Sequence, residues 1–305
     1  MTTFTAATFG VGDSAGYNSI ASPNSSLYLG SGLNAFNVGT FNVGTGARDV
    51  GYVVFNASAT NGAFKLRAAD GVGRATFNIG SSGGATSTSG ANNLVDLTGH
   101  SADLLISSLN VGNQQREGSM AYEFKFDAGT LDATTLTIGA GTTVYGSTGS
   151  NSPTLAATVT IAGGTVTIGT GAITMGTVND LSTKATKIYS GALNISGGTV
   201  TVGTNGTYAI QLGNNTGGVT VNEALNLTGG TLTVAGDIIL GSTTRTTGTL
   251  TLNGGTLDMG GFKIGGSSAT NNLTGLTFSA GGLRNVGQIN NGAGLTKTGT
   301  GTLTL

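Results

Sequence analysis

Residues 193–202 read "LNISGGTVTV" and residues 225–234 read "LNLTGGTLTV". The pattern recurs as "VTIAGGTVTI" at 159–168 and "LTLNGGTLDM" at 250–259, with a worn copy, "LTFSAGGLRNV", at 276–286. In each copy apolar and polar residues alternate, stop at Gly-Gly and alternate again: Leu225 and Leu227 before the glycines, Leu232 and Val234 after them. Such alternation marks a strand with one buried face. The Gly-Gly sits where the chain must turn a corner, since glycine visits positive φ at no steric cost. A third short apolar run follows each copy: "AITMG" at 172–176, "AIQLG" at 209–213, "DIILG" at 237–241 and "FKIGG" at 262–266.

The Gly-Gly pairs begin at 163, 197, 229, 254 and 281, so the repeat runs 34, 32, 25 and 27 residues. Self-similarity at this period signals a solenoid, a propeller or an array. Three short strands per repeat suit the triangular coil of a parallel β-helix, in which no repeat buries its own face and each must stack on its neighbours. A propeller blade wants four antiparallel strands. The expected fold is therefore all-β, a parallel β-helix (β-solenoid). Residues 1–155 carry the same grammar less regularly, as "FNVGTFNVGTG" at 36–46, "ATFNIGSSGG" at 75–84, "SSLNVGN" at 107–113 and "LTIGAG" at 136–141. The expectation is one solenoid over 1–305, irregular to 155 and regular over 156–305, with about ten to twelve coils stacked at about 4.8 Å.

Composition narrows the function. Glycine supplies 56 of 305 residues and charged residues only 8%, against about 7% glycine and about 25% charge in ordinary domains. The exterior must be clad in Thr, Ser, Asn and Gly. Net charge is −1 and the twelve Lys and Arg are scattered, so no basic stripe exists to meet nucleic acid. No apolar run is long enough to span a bilayer as a helix. With no cysteine, disulfides and thiolate metal sites are excluded. The opening residues show no basic and apolar segments of a signal peptide.

Residues that could carry chemistry are few. His100, the only histidine, precedes Asp103 by three residues, a spacing open to a general base and its orienter; a loop histidine is the plainer reading. In "YEFKFDAGTLD" (122–132), Tyr122, Phe124 and Phe126 face one way and Glu123, Lys125 and Asp127 the other. That is either a carboxylate pair for glycan or Ca²⁺, or a core face backed by a charged solvent face. Beyond residue 132 the carboxylates are only Asp180, Glu223, Asp237 and Asp258, too dispersed for the paired carboxylates of glycoside hydrolysis. The expectation is no catalytic residue, no metal, no cofactor and no enzyme. Alternate threonines (Thr165 and Thr167, Thr199 and Thr201, Thr231 and Thr233, Thr302 and Thr304) fit a solvated strand face. They also fit the hydroxyl lattice of ice-binding solenoids, against which the unequal repeat lengths speak. Seven Asn-x-Ser/Thr triplets, at Asn24, Asn56, Asn194, Asn205, Asn214, Asn226 and Asn272, are as many as chance supplies.

The closing stretch "GAGLTKTGTGTLTL" (292–305) resembles the autotransporter-associated β-strand repeat, also called the passenger-associated transport repeat. The matching residues are Leu295, Lys297, Gly299, Gly301, Thr302 and Leu303. The resemblance implies a right-handed parallel β-helix of the pectate-lyase kind, used outside the bacterial cell as a stalk, adhesin or envelope component, with cell-surface polysaccharide as a possible partner. The family's usual Asn- and Tyr-containing continuation and its C-terminal membrane barrel do not follow Leu305.

Both ends of the chain read as strand, "TTFTAATFGVG" at the start and "GTLTL" at the finish. Solenoid ends need caps, because a terminal coil exposes unpaired backbone groups and a core cross-section. Either the chain is a segment of a longer solenoid or its ends pair with other copies. The reading preferred is an extracellular structural subunit that stacks head to tail into a filament or surface layer. The alternatives are an adhesin or stalk segment of a larger surface protein and, behind it, a glycan-binding or glycan-degrading helix. The expected joint is Phe4 and Phe9 at one end and Leu295, Leu303 and Leu305 at the other.

Overall fold

A computed structural model describes residues 2–12, 25–45, 50–82, 91–114, 120–142, 154–179 and 187–305. Within them the protein is a parallel β-solenoid: every strand pairing is parallel, and each strand away from the ends pairs with its counterparts one coil before and one coil after. No helix is long and apolar enough to cross a membrane, among the described residues.

Three faces run the length of the coil. The first holds Ser25–Leu29, Gly51–Phe55, Ala91–Asp96, Met120–Phe126, Thr154–Ile161, Ile188–Ile195 and Thr220–Leu227, and continues through 246–252 and 275–278. The second includes Thr165–Ile168, Thr199–Val202 and Thr231–Val234, the third Ile173–Asn179, Ile210–Asn215 and Ile238–Leu240. On the second face the ladder passes through segments beginning at 2, 32, 62, 101, 129, 165, 199, 231, 256, 281 and 303, which makes eleven coils. Ten steps of about 4.8 Å give a rod roughly 48 Å long.

The repeat "strand, Gly-Gly, strand" is the corner between the first and second faces. Its connection is three residues in each regular coil, 162–164, 196–198 and 228–230. The second glycine takes positive φ, 73° at Gly164, 74° at Gly198 and 66° at Gly230. The uneven repeat length is absorbed at the other corners, for instance 203–209 and 216–219. In the irregular half the second and third faces fuse into single bent strands, Gly32–Val43, Ser101–Gln114 and Gly129–Thr142. "FNVGTFNVG" is accordingly one strand crossing two faces rather than two copies of a unit. Near the other end the first and second faces fuse instead, in Thr246–Asp258 and Gly275–Arg284.

One continuous apolar core fills the coil. Its first half is aromatic, with Phe36, Phe41, Phe64 and Phe77 in edge or tilted contact at 5.1–5.8 Å. The second half is mainly Leu, Ile and Val, with Tyr189 and Phe278 among them. The outward threonines stack in register, Thr165, Thr199, Thr231 and Thr256 in one column and Thr167, Thr201 and Thr233 in the next. Unequal repeat length therefore leaves this face regular, contrary to the expectation. Thr302 and Thr304 do not extend the paired columns: Thr304 pairs with Gly282. Asn194 and Asn226, each within a glycosylation triplet, instead form a cross-coil side-chain bond of 2.9 Å. Asn24 and Asp180 lie outside the described residues.

Charged side chains tie coils together. The Arg67 guanidinium donates to the Asp103 carboxylate at 2.6 Å and to the Asp103 carbonyl at 2.9 Å. Burial by itself, the largest influence, would raise the Asp103 pKa; the Arg67 bond and charge and the Thr130 hydroxyl together outweigh it and hold the carboxyl below its usual range. Arg67→Met is expected to cost about 1 kcal/mol. A depressed folded pKa adds stability above the unfolded value of 3.8 that is lost as pH falls through the folded one. The Arg67→Met deficit in urea unfolding should therefore be present at pH 7 and shrink below about pH 3.8.

Candidate assembly surfaces

The expected joint residues sit at opposite ends of the rod. Strand Thr2–Val11 pairs along one edge only, with Gly32–Val43; its other edge meets no strand among the described residues. Both Phe4 and Phe9 turn inward because Thr2–Val11 passes from one face to the next between them; Phe4 stacks on Phe36 at 5.0 Å, while Phe9 meets Phe36 edge-on at 5.0 Å and Phe41 at 5.2 Å. Further along the coil such phenyl rings are fully covered. Here Phe4 remains 40% exposed because it has ring neighbours on one side only.

At the other end the last coil is thin. The strand expected from Leu295 onward is reduced to a bridge from Lys297 to Phe278 and a two-residue strand, Leu303–Thr304, against Gly281 and Gly282. The intervening "TGTG" supplies no apolar residue to hold it down. This thin coil stands over an apolar hollow of about 460 Å³ lined by Leu283, Val286, Ile289, Leu295 and Leu305. Leu295 and Leu303 pack partly against the core, whereas Leu305 is 76% exposed. One end thus offers the exposed Phe4 ring beside a strand edge unpaired among the described residues, and the other an apolar hollow beside a second edge unpaired among them.

The residues singled out for chemistry are not assembled for it. The His100 ring lies flat on Phe55, centroids 3.9 Å apart, while Asp103 is taken by Arg67 and Thr130. The base-and-orienter reading fails on that geometry. In Met120–Phe126, Tyr122, Phe124 and Phe126 are buried as alternation demands. Outside, Lys125 sits between Glu123 at 2.9 Å and Asp96 at 3.8 Å, and the Glu123 hydrogen bond raises its pKa. Asp127 lies past the strand and accepts the Gly99 N–H at 2.8 Å. These contacts occupy the carboxylates with structural tasks. Among the described residues no three His, Cys, Asp or Glu side chains converge as a metal site.

One residue escaped the functional reading of the sequence. Glu223 is 2% exposed inside the rod, with neither carboxyl oxygen in a hydrogen bond. Burial pushes its pKa well above the carboxylate range, opposed by the smaller effect of the Gly191 N–H. The signal was present in "VNEAL": strand alternation puts Glu223 on the same face as Val221 and Leu225. No family model, curated protein or solved structure matches the chain.

Proposed function

We infer that the chain is an extracellular structural protein whose coils stack end to end into a filament or surface layer. The observation that carries this reading is the complementarity of the two ends: the exposed Phe4 ring and an edge unpaired among the described residues on the first coil, an apolar hollow and a second such edge on the last. A head-to-tail contact uses two different surfaces and does not close, so it propagates. Docking one end on the other also continues the parallel ladder in the sense it already has, with main-chain hydrogen bonds as in strand addition. The sparse charge of the chain leaves little repulsion between copies. The closing Leu-x-Lys-x-Gly-x-Gly-Thr-Leu motif, similar to the autotransporter-associated repeat, supports placement at a bacterial surface.

The same motif favours a second reading, an adhesin or stalk segment whose neighbouring coils belong to a longer chain. Electron microscopy and light scattering over a concentration series separate the two. The filament reading expects fibres with an axial repeat near 50 Å. It also expects their loss in a Phe4→Asp, Phe9→Asp double variant and on deletion of 295–305. A stable monomer at high concentration would sink it, and a native product extending past Leu305 would favour the stalk.

A further inference from the structure

We propose that Glu223 is a proton-uptake site: the coil closes around it only as the neutral acid, so folding of this part of the rod at neutral pH takes up one proton. The argument begins with the strand Thr220–Leu227, where alternation sends Val221, Glu223, Leu225 and Leu227 into the core. Glu223 lies in the ladder between Gly191 of the preceding coil and Gly248 of the next, with Ala157 one step further back. One long side chain is thus flanked by three small residues. Leu212 and Leu240 fill the space inside Gly248, 3.0 and 2.8 Å from where a methyl group would stand. The Glu223 side chain takes the remaining room, toward the preceding coil. Its carboxyl occupies the positions that Cβ atoms on Gly176 and Gly191 would need.

The carboxyl so placed is 2% exposed, and neither of its oxygens is hydrogen-bonded. A bare carboxylate there would lose its hydration with no cation to replace it, and a group so placed takes a proton instead. On and beside the elements packed against it, the titratable and charged side chains are Lys187, Tyr189, Asp237, Arg245 and Asp258, the last held at the far end of Thr246–Asp258 by the Gly260 N–H and the Asn285 amide. Lys187 lies over the Tyr189 ring at 5.1 Å, and the Asp237 carboxylate accepts the Lys263 N–H. Arg245 is exposed. No side chain hydrogen-bonds to the carboxyl, which responds to burial first and the Gly191 backbone second. Asp180, at the end of Ile173–Asn179, lies outside the described residues.

The sign follows. With the folded pKa above the unfolded value of 4.5, the folded chain holds the extra proton between the two. Stability from this group is complete below about pH 4.5 and falls as pH rises, by up to tenfold in the folding constant per pH unit. Carboxylates held low, such as Asp103 and Asp258, weaken the fold only as pH drops below 3.8. Between pH 5 and 7 the difference between the wild type and a Glu223 variant therefore reports on Glu223.

The test is urea unfolding of the whole chain at pH 5, 6 and 7, for the wild type and Glu223→Gln, with infrared spectra of both folded proteins at pH 7. The expected result is a wild-type folding constant that drops up to tenfold per unit while that of Glu223→Gln stays level. A protonated-carboxyl C=O band should be present in the wild type and missing from the variant. Should the glutamine variant fail to fold, Glu223→Leu serves the same comparison without a polar group. Parallel pH slopes in the two proteins, or no such band in the wild type at pH 7, would overturn the proposal.

Discussion

Alanine at Gly230 lowers stability by about 2–6 kcal/mol, read as a drop in the urea midpoint. Two costs add. Gly230 sits at φ 66°, where a side chain is strained by about 1–3 kcal/mol. Its new methyl would also stand 2.6 Å from the Gly198 carbonyl oxygen and 2.6 Å from the Gly197 carbonyl carbon. Backbone of the preceding coil cannot retreat as a flexible side chain can, so overpacking contributes a further 1–3 kcal/mol or so. Gly99 separates the two costs: its φ is 75° but no atom lies within 4 Å of a methyl placed there. Gly99→Ala should lose only the strain, about 1 kcal/mol. Equal losses at the two sites would mean that close coil stacking at the Gly-Gly corner is not what selects glycine. Because each coil contacts only its neighbours, hydrogen exchange in Gly230→Ala should accelerate mainly over 193–258.

Phe124→Ala is expected to cost about 3–5 kcal/mol, the range for emptying a buried phenyl site. Phe124 is fully buried and meets Phe77 edge-on at 6.1 Å. In the strand ladder it lies between Val95 and Val159, so its loss leaves a hole spanning three coils. The adjacent Lys125→Ala removes two part-exposed ion pairs and should cost no more than about 1 kcal/mol. Thermal unfolding of the pair tests which face of this strand bears the fold. A Lys125→Ala loss matching that of Phe124→Ala would mean that the exterior ion pairs, rather than the core, hold these coils.

Several features were legible because they are local. "TVTV" and "TLTV" announce strands with threonine outside, and Gly-Gly announces a corner. Other features were not. "FNVGTFNVG" repeats after five residues, which simple alternation would set on opposite sides of one strand, and only the pairing of Gly32–Val43 with two separate strands shows that the chain turns from one face to the next between the copies. His100 and Asp103 are near in sequence, yet Asp103 is claimed by Arg67, distant in sequence and one coil away. Leu295 to Leu305 alternates at both ends but is interrupted by "TGTG", and the tertiary ladder keeps only its last residues as a strand.

By itself the sequence determined the period, the three strands of each regular coil, their glycine corners and the side of those strands that turns inward. These follow from side-chain alternation and from the φ angles glycine permits, both properties of a few consecutive residues. Only the tertiary structure decided which residues stack above one another. Stacking sets the threonines in register across coils of unequal length, puts Gly176 and Gly191 around the Glu223 carboxyl, and leaves Phe4 with ring neighbours on one side alone. Those outcomes depend on how loop lengths are absorbed at each corner, which no single coil encodes.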